Sequence, residues 1–208
     1  MIRQFELLTR RRFAPIFATQ FLGALNDNIF RFALILAITF DNTNIASTSE
    51  RSDVSLIAGV FILPFLLFSG FSGQLADKFE KSKVIRFTKT SEVLIALLAT
   101  FGFLNGNFVI LLITLFLMGV QSTIFGPLKY SILPQQLKKD ELSGANGLMQ
   151  TGTYAAIILG SLVGGAVIGA SEDGTTYISI IMIGIALLGR LSSQFILPGE
   201  ANSPKLKI

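Results

Sequence analysis

Neither cysteine nor histidine occurs in this chain of 208 residues, and tryptophan is missing as well. Without thiols and imidazoles, the chain forms no disulfide and has no cysteine or histidine pair for nucleophilic catalysis or for binding a metal. Charged residues are scarce, at 14%, whereas hydrophobic residues make up 51% and the mean hydropathy is +0.64. This composition is typical of a membrane protein. A phosphate-binding G-x-x-x-x-G-K-[ST] loop is absent too, so we expect no enzyme activity, no catalytic residue and no cofactor.

Six apolar stretches are long enough to cross a bilayer as helices, which needs roughly 20 residues each. They are continuous, unlike the ten-residue alternating strands of a membrane barrel. The sequence therefore predicts an all-α membrane protein with a six-helix domain at 14–197. A basic cytoplasmic segment, 1–13, precedes this domain, and a tail or the start of a central loop, 198–208, follows it. The six stretches are about 14–40, 54–76, 84–104, 108–128, 143–170 and 176–197.

Lysine and arginine cluster at alternate breaks between these stretches. Because basic loops stay in the cytoplasm, both termini are predicted to be cytoplasmic. The basic excess is then a topology signal, and we expect no binding of nucleic acid. Only Arg51 lies on the opposite side. The residues on the predicted cytoplasmic side are Arg3, Arg10, Arg11, Arg12, Lys78, Lys81, Lys83, Arg86, Lys89, Lys129, Lys138, Lys139, Lys205 and Lys207.

The first stretch carries polar residues at its centre, in the sequence LNDNIFR. A charge at mid-bilayer costs on the order of 3 kcal/mol or more, so it usually faces a bundle interior or an aqueous cavity. Asp27 and Arg31 are four residues apart, in the acid-first order that favours an ion pair, and Gln20 lies on the same helical face. Asn26 and Asn28 flank this stripe on either side. The stripe predicts either the lining of a substrate path or a structural tie between helices.

Further polar residues lie in the later spans. Gln121 falls late in the fourth span, and Asn146 and Gln150 share one face of the fifth, where they could meet the polar stripe. We interpret Lys89 and Glu92, three residues apart near the start of the third span, as a structural pair at the membrane interface. None of these groups suggests a metal site.

The fifth span is rich in glycine. Gly160 and Gly164, and likewise Gly165 and Gly169, have the small-xxx-small spacing that lets two helix backbones approach closely. This pattern fits static close packing, and it also fits a smooth surface on which neighbouring helices slide. The sequence does not separate the two interpretations.

The break between the second and third spans reads SGQLADKFEKSKVIRF, with a glycine, an aspartate four residues later, and then basic residues. It resembles the cytoplasmic loop signature of the major facilitator superfamily, although Glu80 replaces a second glycine of that pattern. An aspartate at the C-terminal end of a helix needs a cation or a helix N-terminus nearby, so its contacts can differ between two conformations. The matching residues, which form a candidate conformational loop, are Gly73, Asp77, Lys78, Lys81 and Lys83.

Two longer segments narrow the resemblance. QFLGALNDNIFRFAL and FGPLKYSILPQQLKKDELSGANGLMQTGTYAAIILGSLVGG are similar to the lysophospholipid transporter branch of that superfamily, in which the permease occurs alone or fused to acyltransferase and acyl-ligase domains. The resemblance implies inward flipping of lysophospholipids, such as lysophosphatidylethanolamine, across the bacterial inner membrane by alternating access. It makes Asn26, Asp27, Asn28 and Arg31 candidates for contact with the headgroup, with Gln20, Gln121, Asn146 and Gln150 as further candidates.

Transporters of this superfamily have two six-helix halves with the site between them, and the chain contains one such half, the N-terminal one. We therefore expect a second half as a partner, either in a longer native chain or as a second copy in a homodimer. Membrane lipids and acyltransferase or acyl-ligase domains are the other expected partners. Two further hypotheses remain, a non-transporting scaffold that docks a lipid-repair acyltransferase and a permease for a small soluble molecule. The headgroup, the coupling ion and the oligomeric state are not readable from the sequence.

Overall fold

The computed structural model describes residues 2–39, 54–171 and 173–206, with the side chains of residues 2, 3 and 54 left out. The break predicted at 41–53, which contains Arg51, lies outside the described residues, and so does Lys207. A short helix α1 (Ile2–Phe5) and a 3₁₀ turn (Glu6–Thr9) precede six long helices. These are α2 (Ala14–Thr39), α3 (Val54–Lys78), α4 (Lys81–Leu104), α5 (Phe108–Gln136), α6 (Leu142–Ala170) and α7 (Gly174–Gln194).

All six long helices have the length and apolar composition needed to cross a membrane. The prediction of an all-α membrane protein with six spans is therefore confirmed. The helix ends differ from the predicted ones mainly at α5, which continues to Gln136 instead of ending near 128. Hydropathy detects the part of a helix that lies in hydrocarbon, whereas backbone hydrogen bonds can carry the helix further into the interface.

Each helix packs along particular neighbours. α2 lies against α6 and α7, α3 lies against α5, and α4 lies against α5 and α7. The approach of α6 to α2 is close because Gly160 and Gly164 face the α2 backbone at Leu25 and Ile29. Small residues at a contact allow this spacing, as predicted for this pair. The second predicted pair makes no such backbone approach among the described residues, since a Cβ on Gly165 would meet only the Leu36 side chain at 3.3 Å and one on Gly169 would meet nothing within 4 Å. Large apolar side chains such as Leu66 and Leu162 point outward, as expected of helices that contact lipid.

The interior has three layers. One buried apolar cluster contains Phe30, Ala99 and Leu115, and a second one, nearer the N-terminus of α2, contains Ile16 and Ile132. Between these clusters α2, α4 and α5 carry buried polar side chains, among which are Gln20, Asn26, Asp27, Asn28, Lys89, Glu92 and Gln121. The apolar clusters hold the bundle together, and the polar layer between them is the candidate site.

Two short connections show how the sequence ends its helices. Between α4 and α5, Gly106 adopts a positive φ of 58°, which glycine tolerates without steric strain. The side chain of Asn107 then accepts a hydrogen bond from the backbone N–H of Ile110 at 3.1 Å and caps α5. The break between the third and fourth predicted spans, 105–107, therefore has the residues that its backbone needs.

Candidate functional site

A cavity of about 250 Å³ opens within the polar layer. Five helices line it, and its walls combine charged, amide and hydroxyl side chains with aromatic rings. The lining residues are Gln20, Gly23, Ala24, Asp27, Asn28, Arg31, Phe61, Phe65, Lys89, Gln121, Ser122, Phe125, Gly126, Lys129, Thr153 and Ile157. The mid-span polar stripe therefore contributes to a cavity, as one of its two interpretations predicted.

Asp27 lies in the wall of this cavity with 8% of its surface exposed. Its Oδ2 accepts a hydrogen bond from Ser122 Oγ of α5 at 2.5 Å, and its Oδ1 is buried without a donor among the described residues. The carboxylate is thus tied to α5 through one oxygen and has acceptor capacity left on the other.

Arg31 lies one helical turn beyond Asp27. Its Nη2 donates to Asn28 Oδ1, and its guanidinium lies over the ring of Phe61, 5.1 Å from the centroid. The direct ion pair between Asp27 and Arg31 that their spacing favours is not formed between these two described side chains. Ser122 instead donates a hydrogen bond to Asp27, and the ring of Phe61 attracts the guanidinium by a cation–π interaction. The cation therefore remains available on the cavity wall.

The opposite end of the stripe connects α2 to α6. Gln20 Nε2 donates to Thr153 Oγ1 at 2.5 Å, and Thr153 donates its own hydroxyl proton to the carbonyl of Met149 at 2.9 Å. Because a hydroxyl has one proton, Thr153 must accept from Gln20, which fixes the direction of the Gln20 amide. Gln20 Oε1 is then left buried without a donor within the described ranges.

A second polar cluster, the Glu92 cluster, joins the cavity from α4. It consists of Glu92, Lys89, Gln121 and Asn26. Glu92 accepts hydrogen bonds from Lys89 Nζ, from Gln121 Nε2 at 3.0 Å and from Asn26 Nδ2 at 3.4 Å. Lys89 also lies over the ring of Phe125, 5.3 Å from its centroid. One carboxylate thus links α4 to α5 and α2.

The interpretation of Lys89 and Glu92 as an interfacial pair is wrong in its location. Each side chain has 1% of its surface exposed, and Lys89 lines the cavity. The residues do pair, as predicted, but Lys89 is eight residues into α4, which is about 12 Å along a helix. Its basic charge therefore belongs to the bundle interior and not to the cytoplasmic loop in which it was counted.

The structure does not bring every predicted residue to the cavity. Gln20, Asp27, Asn28, Arg31 and Gln121 line it. Asn26 is buried on the side of the Glu92 cluster. The remaining two candidates are exposed on α6: Asn146, and Gln150, whose Oε1 accepts a hydrogen bond from Tyr130 Oη at 3.1 Å.

Several lining residues were not among the predicted site residues. Ser122 and Thr153 provide hydroxyls, Lys89 and Lys129 provide cations, and aromatic rings complete the wall. Ser122 and Lys129 are seven residues apart, which puts them on one helical face, so a signal for Lys129 was present in the sequence. The rings of Phe61 and Phe65 carried no signal, because phenylalanine is common throughout the chain.

The candidate conformational loop is mostly helical. Gly73 and Asp77 belong to α3, Lys81 and Lys83 belong to α4, and the break between the helices consists of Phe79 and Glu80. Lys78 closes α3 and contacts the ring of Phe79. Lys83 forms an ion pair with Glu80 at 2.9 Å.

The C-terminal tail, residues 197–206, lies against this helix break. Asn202 Nδ2 donates to Asp77 Oδ1 at 2.9 Å, and the buried Lys81 Nζ donates to Asn202 Oδ1 at 2.9 Å and to the Glu200 carbonyl at 2.6 Å. Gln135, near the end of α5, donates to the same carbonyl at 3.1 Å. The polar contact that Asp77 needs at the end of its helix is thus supplied by the tail.

The charges of the cavity define what it can bind. Asp27 contributes a negative charge, and Arg31, Lys89 and Lys129 contribute positive charges, of which Lys89 is paired with Glu92. Within the described ranges, no three acidic side chains come together in a way that could hold a metal ion. A cavity with separate anionic and cationic groups suits an organic ligand that itself carries both charges.

A cavity that contains polar and charged side chains and is lined by five of the six candidate membrane spans defines the class as a multi-pass membrane protein. A profile described as Major Facilitator Superfamily matches residues 16–206. The chain therefore belongs to the major facilitator superfamily.

Curated relatives narrow the similarity further. The chain is 31% identical over 183 residues to the lysophospholipid transporter LplT of Citrobacter koseri, and 35% identical over 181 residues to that of Pectobacterium carotovorum. These alignments cover 88% and 87% of the chain, and 42% and 41% of the respective relatives. The resemblance to the lysophospholipid transporter branch is thus confirmed, and the chain spans less than half the length of these relatives.

Proposed function

We propose that the chain forms part of a transporter that moves lysophospholipids, such as lysophosphatidylethanolamine, across the bacterial inner membrane by alternating access. The observation that carries this proposal is the cavity with separate anionic and cationic groups inside a membrane-spanning bundle. The names of the curated relatives support the same substrate class.

The groups of a zwitterionic headgroup match the cavity wall. Asp27 suits an ammonium group, and Arg31 suits a phosphate, which guanidinium groups bind through two parallel hydrogen bonds. Lys129 supplies a second cation on the wall. A soluble zwitterion could use the same charges. The aromatic rings in the cavity wall favour a lipid instead, because they offer apolar surface to an acyl chain.

The size of the cavity separates the headgroup from the acyl chain. Pockets that enclose a drug-sized ligand measure about 300–1,000 Å³, and this cavity of about 250 Å³ is smaller. It has room for a phosphoethanolamine headgroup but not for a long acyl chain as well. The acyl chain of the lipid would remain against apolar surface, such as the rings of Phe61 and Phe65, or in the surrounding bilayer.

We further propose that both termini are cytoplasmic, in line with the basic residues near them. The site would be completed by a second six-helix half, from a longer native chain or from a second copy. Acyltransferase or acyl-ligase domains that consume the flipped lipid are proposed partners. A substrate held between two halves would explain why Asn146 and Gln150 are polar on an exposed face.

Uptake of labelled lysophosphatidylethanolamine in cells without their own lysolipid transporter tests this proposal. The chain is expressed by itself and together with a following six-helix half. Each form is compared with and without the substitution Asp27→Asn. We expect Asp27→Asn to reduce uptake by about tenfold or more at equal abundance in the membrane, because the ammonium loses a charged partner. Asp140→Asn, at an exposed position outside the cavity, is the matched control and should leave uptake unchanged.

One observation favours the alternative of a non-transporting scaffold, since Asp27 is hydrogen-bonded to Ser122 of α5, as a structural tie would be. The double substitution Asp27→Asn with Arg31→Gln separates the two functions. A structural tie tolerates the neutral pair, because amides can replace its hydrogen bonds. A transport path that needs both charges loses uptake even though folded protein reaches the membrane.

A further inference from the structure

We propose that Glu92 is a positioning residue that makes the cavity present hydrogen-bond acceptors to its ligand, and thereby favours headgroups with a primary ammonium. The proposal rests on the proposed function, because it assumes that a lysophospholipid headgroup enters this cavity. Glu92 itself does not line the cavity and acts through Gln121, which does.

The argument starts from the chemistry of the carboxylate. An ionised carboxylate accepts hydrogen bonds and donates none. Glu92 accepts hydrogen bonds from donors on three helices, namely Lys89 Nζ, Gln121 Nε2 and Asn26 Nδ2. Each amide must therefore turn its nitrogen toward Glu92 and its oxygen away. Gln121 Oε1 and Asn26 Oδ1 are both buried without a donor in the described part of the chain, as this geometry requires.

The same polarity recurs around the cavity. Gln20 uses its nitrogen on Thr153, and Asp27 uses one oxygen on Ser122. Three lining residues, Gln20, Asp27 and Gln121, thus each retain one buried oxygen without a donor among the described residues. Buried acceptors without partners are costly, so a ligand that supplies donors gains free energy by satisfying them. These oxygens are closed to solvent here, so the ligand reaches them when the wall rearranges around it.

A primary ammonium group fits this arrangement because it has three N–H donors. A quaternary ammonium has none, and a glycerol headgroup has hydroxyls without a positive charge. Glu92 contributes to the preference because it decides whether Gln121 offers its oxygen or its nitrogen to the cavity side. If a cation stood at position 92, the amide of Gln121 would turn and would become a donor.

Exchanging the charges tests this idea. The double substitution Lys89→Glu with Glu92→Lys retains an ion pair three residues apart but puts the ammonium beside Gln121. We expect the ratio of lysophosphatidylethanolamine uptake to lysophosphatidylglycerol uptake to fall about tenfold, the effect of one charge-assisted hydrogen bond. A purely structural role for Glu92 predicts that uptake of both lipids falls by the same factor, which would overturn the proposal.

A measurement without lipid keeps this inference separate from the proposed function. The side-chain amide of Gln121 is observed by ¹⁵N NMR in the purified chain and assigned with the substitution Gln121→Leu. Its protons should exchange with water at least about tenfold more slowly in the original protein than in the exchanged variant, because the hydrogen bond to Glu92 protects them. Equal exchange rates would refute the positioning role. If the original protein transports neither lipid, the proposed function is refuted. The exchange rates of the Gln121 amide protons still decide the role of Glu92.

A neutral variant covers the case in which the exchanged protein does not reach the membrane. Lys89→Met with Glu92→Gln keeps the shapes of both side chains and allows Gln121 either orientation, so we expect the preference for the ethanolamine lipid to disappear. The matched control is Arg10→Met with Glu6→Gln, which removes an exposed pair of opposite charges in the N-terminal segment, away from the cavity. The control should retain the preference, and loss of the preference there would contradict the proposal.

Discussion

Gly164 offers a test of how tightly α6 and α2 are packed. In the substitution Gly164→Ala, the new Cβ would lie 2.6 Å from the carbonyl oxygen of Ile29 and 3.2 Å from the backbone nitrogen of Ala33. Ordinary contacts of a Cβ begin at 3.4 Å. Both atoms belong to the backbone of α2, so rotation of a side chain cannot relieve the clash.

The expected magnitude follows from these distances. The two helices must separate locally by roughly 0.8 Å, and overpacking of this kind typically costs about 1–3 kcal/mol. Alanine gains about 0.5–1 kcal/mol over glycine from helix propensity, so the net loss is on the order of 1–2 kcal/mol. The displacement also reaches the site, because Asp27 and Asn28 directly precede Ile29 on α2.

Thermal unfolding of the purified chain, followed by circular dichroism, measures the effect. We expect Gly164→Ala to lower the Tm. Gly147→Ala should leave the Tm unchanged or raise it slightly, because Gly147 is on the same helix and no atom of the described residues lies within 4 Å of its added Cβ. Equal shifts for the two variants would refute the close-packing argument. If Gly164→Ala lowers lipid uptake far more than it lowers the amount of folded protein, the glycine surface also allows the helices to move. That outcome would favour the sliding interpretation of the glycine pattern.

Two further predictions concern the break between α3 and α4. Because the chain has no native cysteine, Asp77→Cys with Asn202→Cys should form a disulfide under mild oxidation, whereas Asp77→Cys with Asn105→Cys, at the other end of α4, should not. Equal cross-linking of the two pairs would contradict the docked tail. The hydrogen bond from Ser82 and the ion pair with Lys83 lower the pKa of Glu80. The stabilising contribution of Glu80 is therefore present above its ordinary pKa and is lost as the pH falls through the lowered pKa. Ser82→Ala should raise that pKa toward its usual range in an NMR titration, and an unchanged value would show that the hydrogen bond is not its main cause.

The sequence predicted the fold well because bilayer physics leaves few choices. A chain in hydrocarbon must satisfy its own backbone, so a long apolar run is a helix. Six such runs became α2 to α7. The ends were less certain because a helix does not stop where lipid stops. α5 stays helical past Pro127 and Pro134, although each proline lacks a backbone N–H donor, and ends at Gln136, beyond the apolar run that defined the predicted span.

The candidate site was only partly predictable. Asp27 and Gln20 were found because a polar residue inside an apolar run has a clear energetic cost and therefore needs a reason. Their partners Ser122 and Thr153 were not found, since small hydroxyl residues can also satisfy themselves on their own helix and carry no such cost. Lys89 was misjudged because its depth depends on where α4 begins, which hydropathy does not give accurately.

The neighbours Asn26 and Asn28 show where inference from one helix ends. Both flank Asp27 by about 100°, and the sequence treats them alike. In the bundle, Asn26 turns toward α4 and donates to Glu92, whereas Asn28 accepts from Arg31 at the cavity. In a soluble protein, the apolar face of a helix would indicate which side is buried. In a membrane helix, apolar residues surround the whole circumference, so only the polar residues indicate which side faces the interior. Their positions do not show which polar residues bind a ligand and which hold the ligand-binding residues in place.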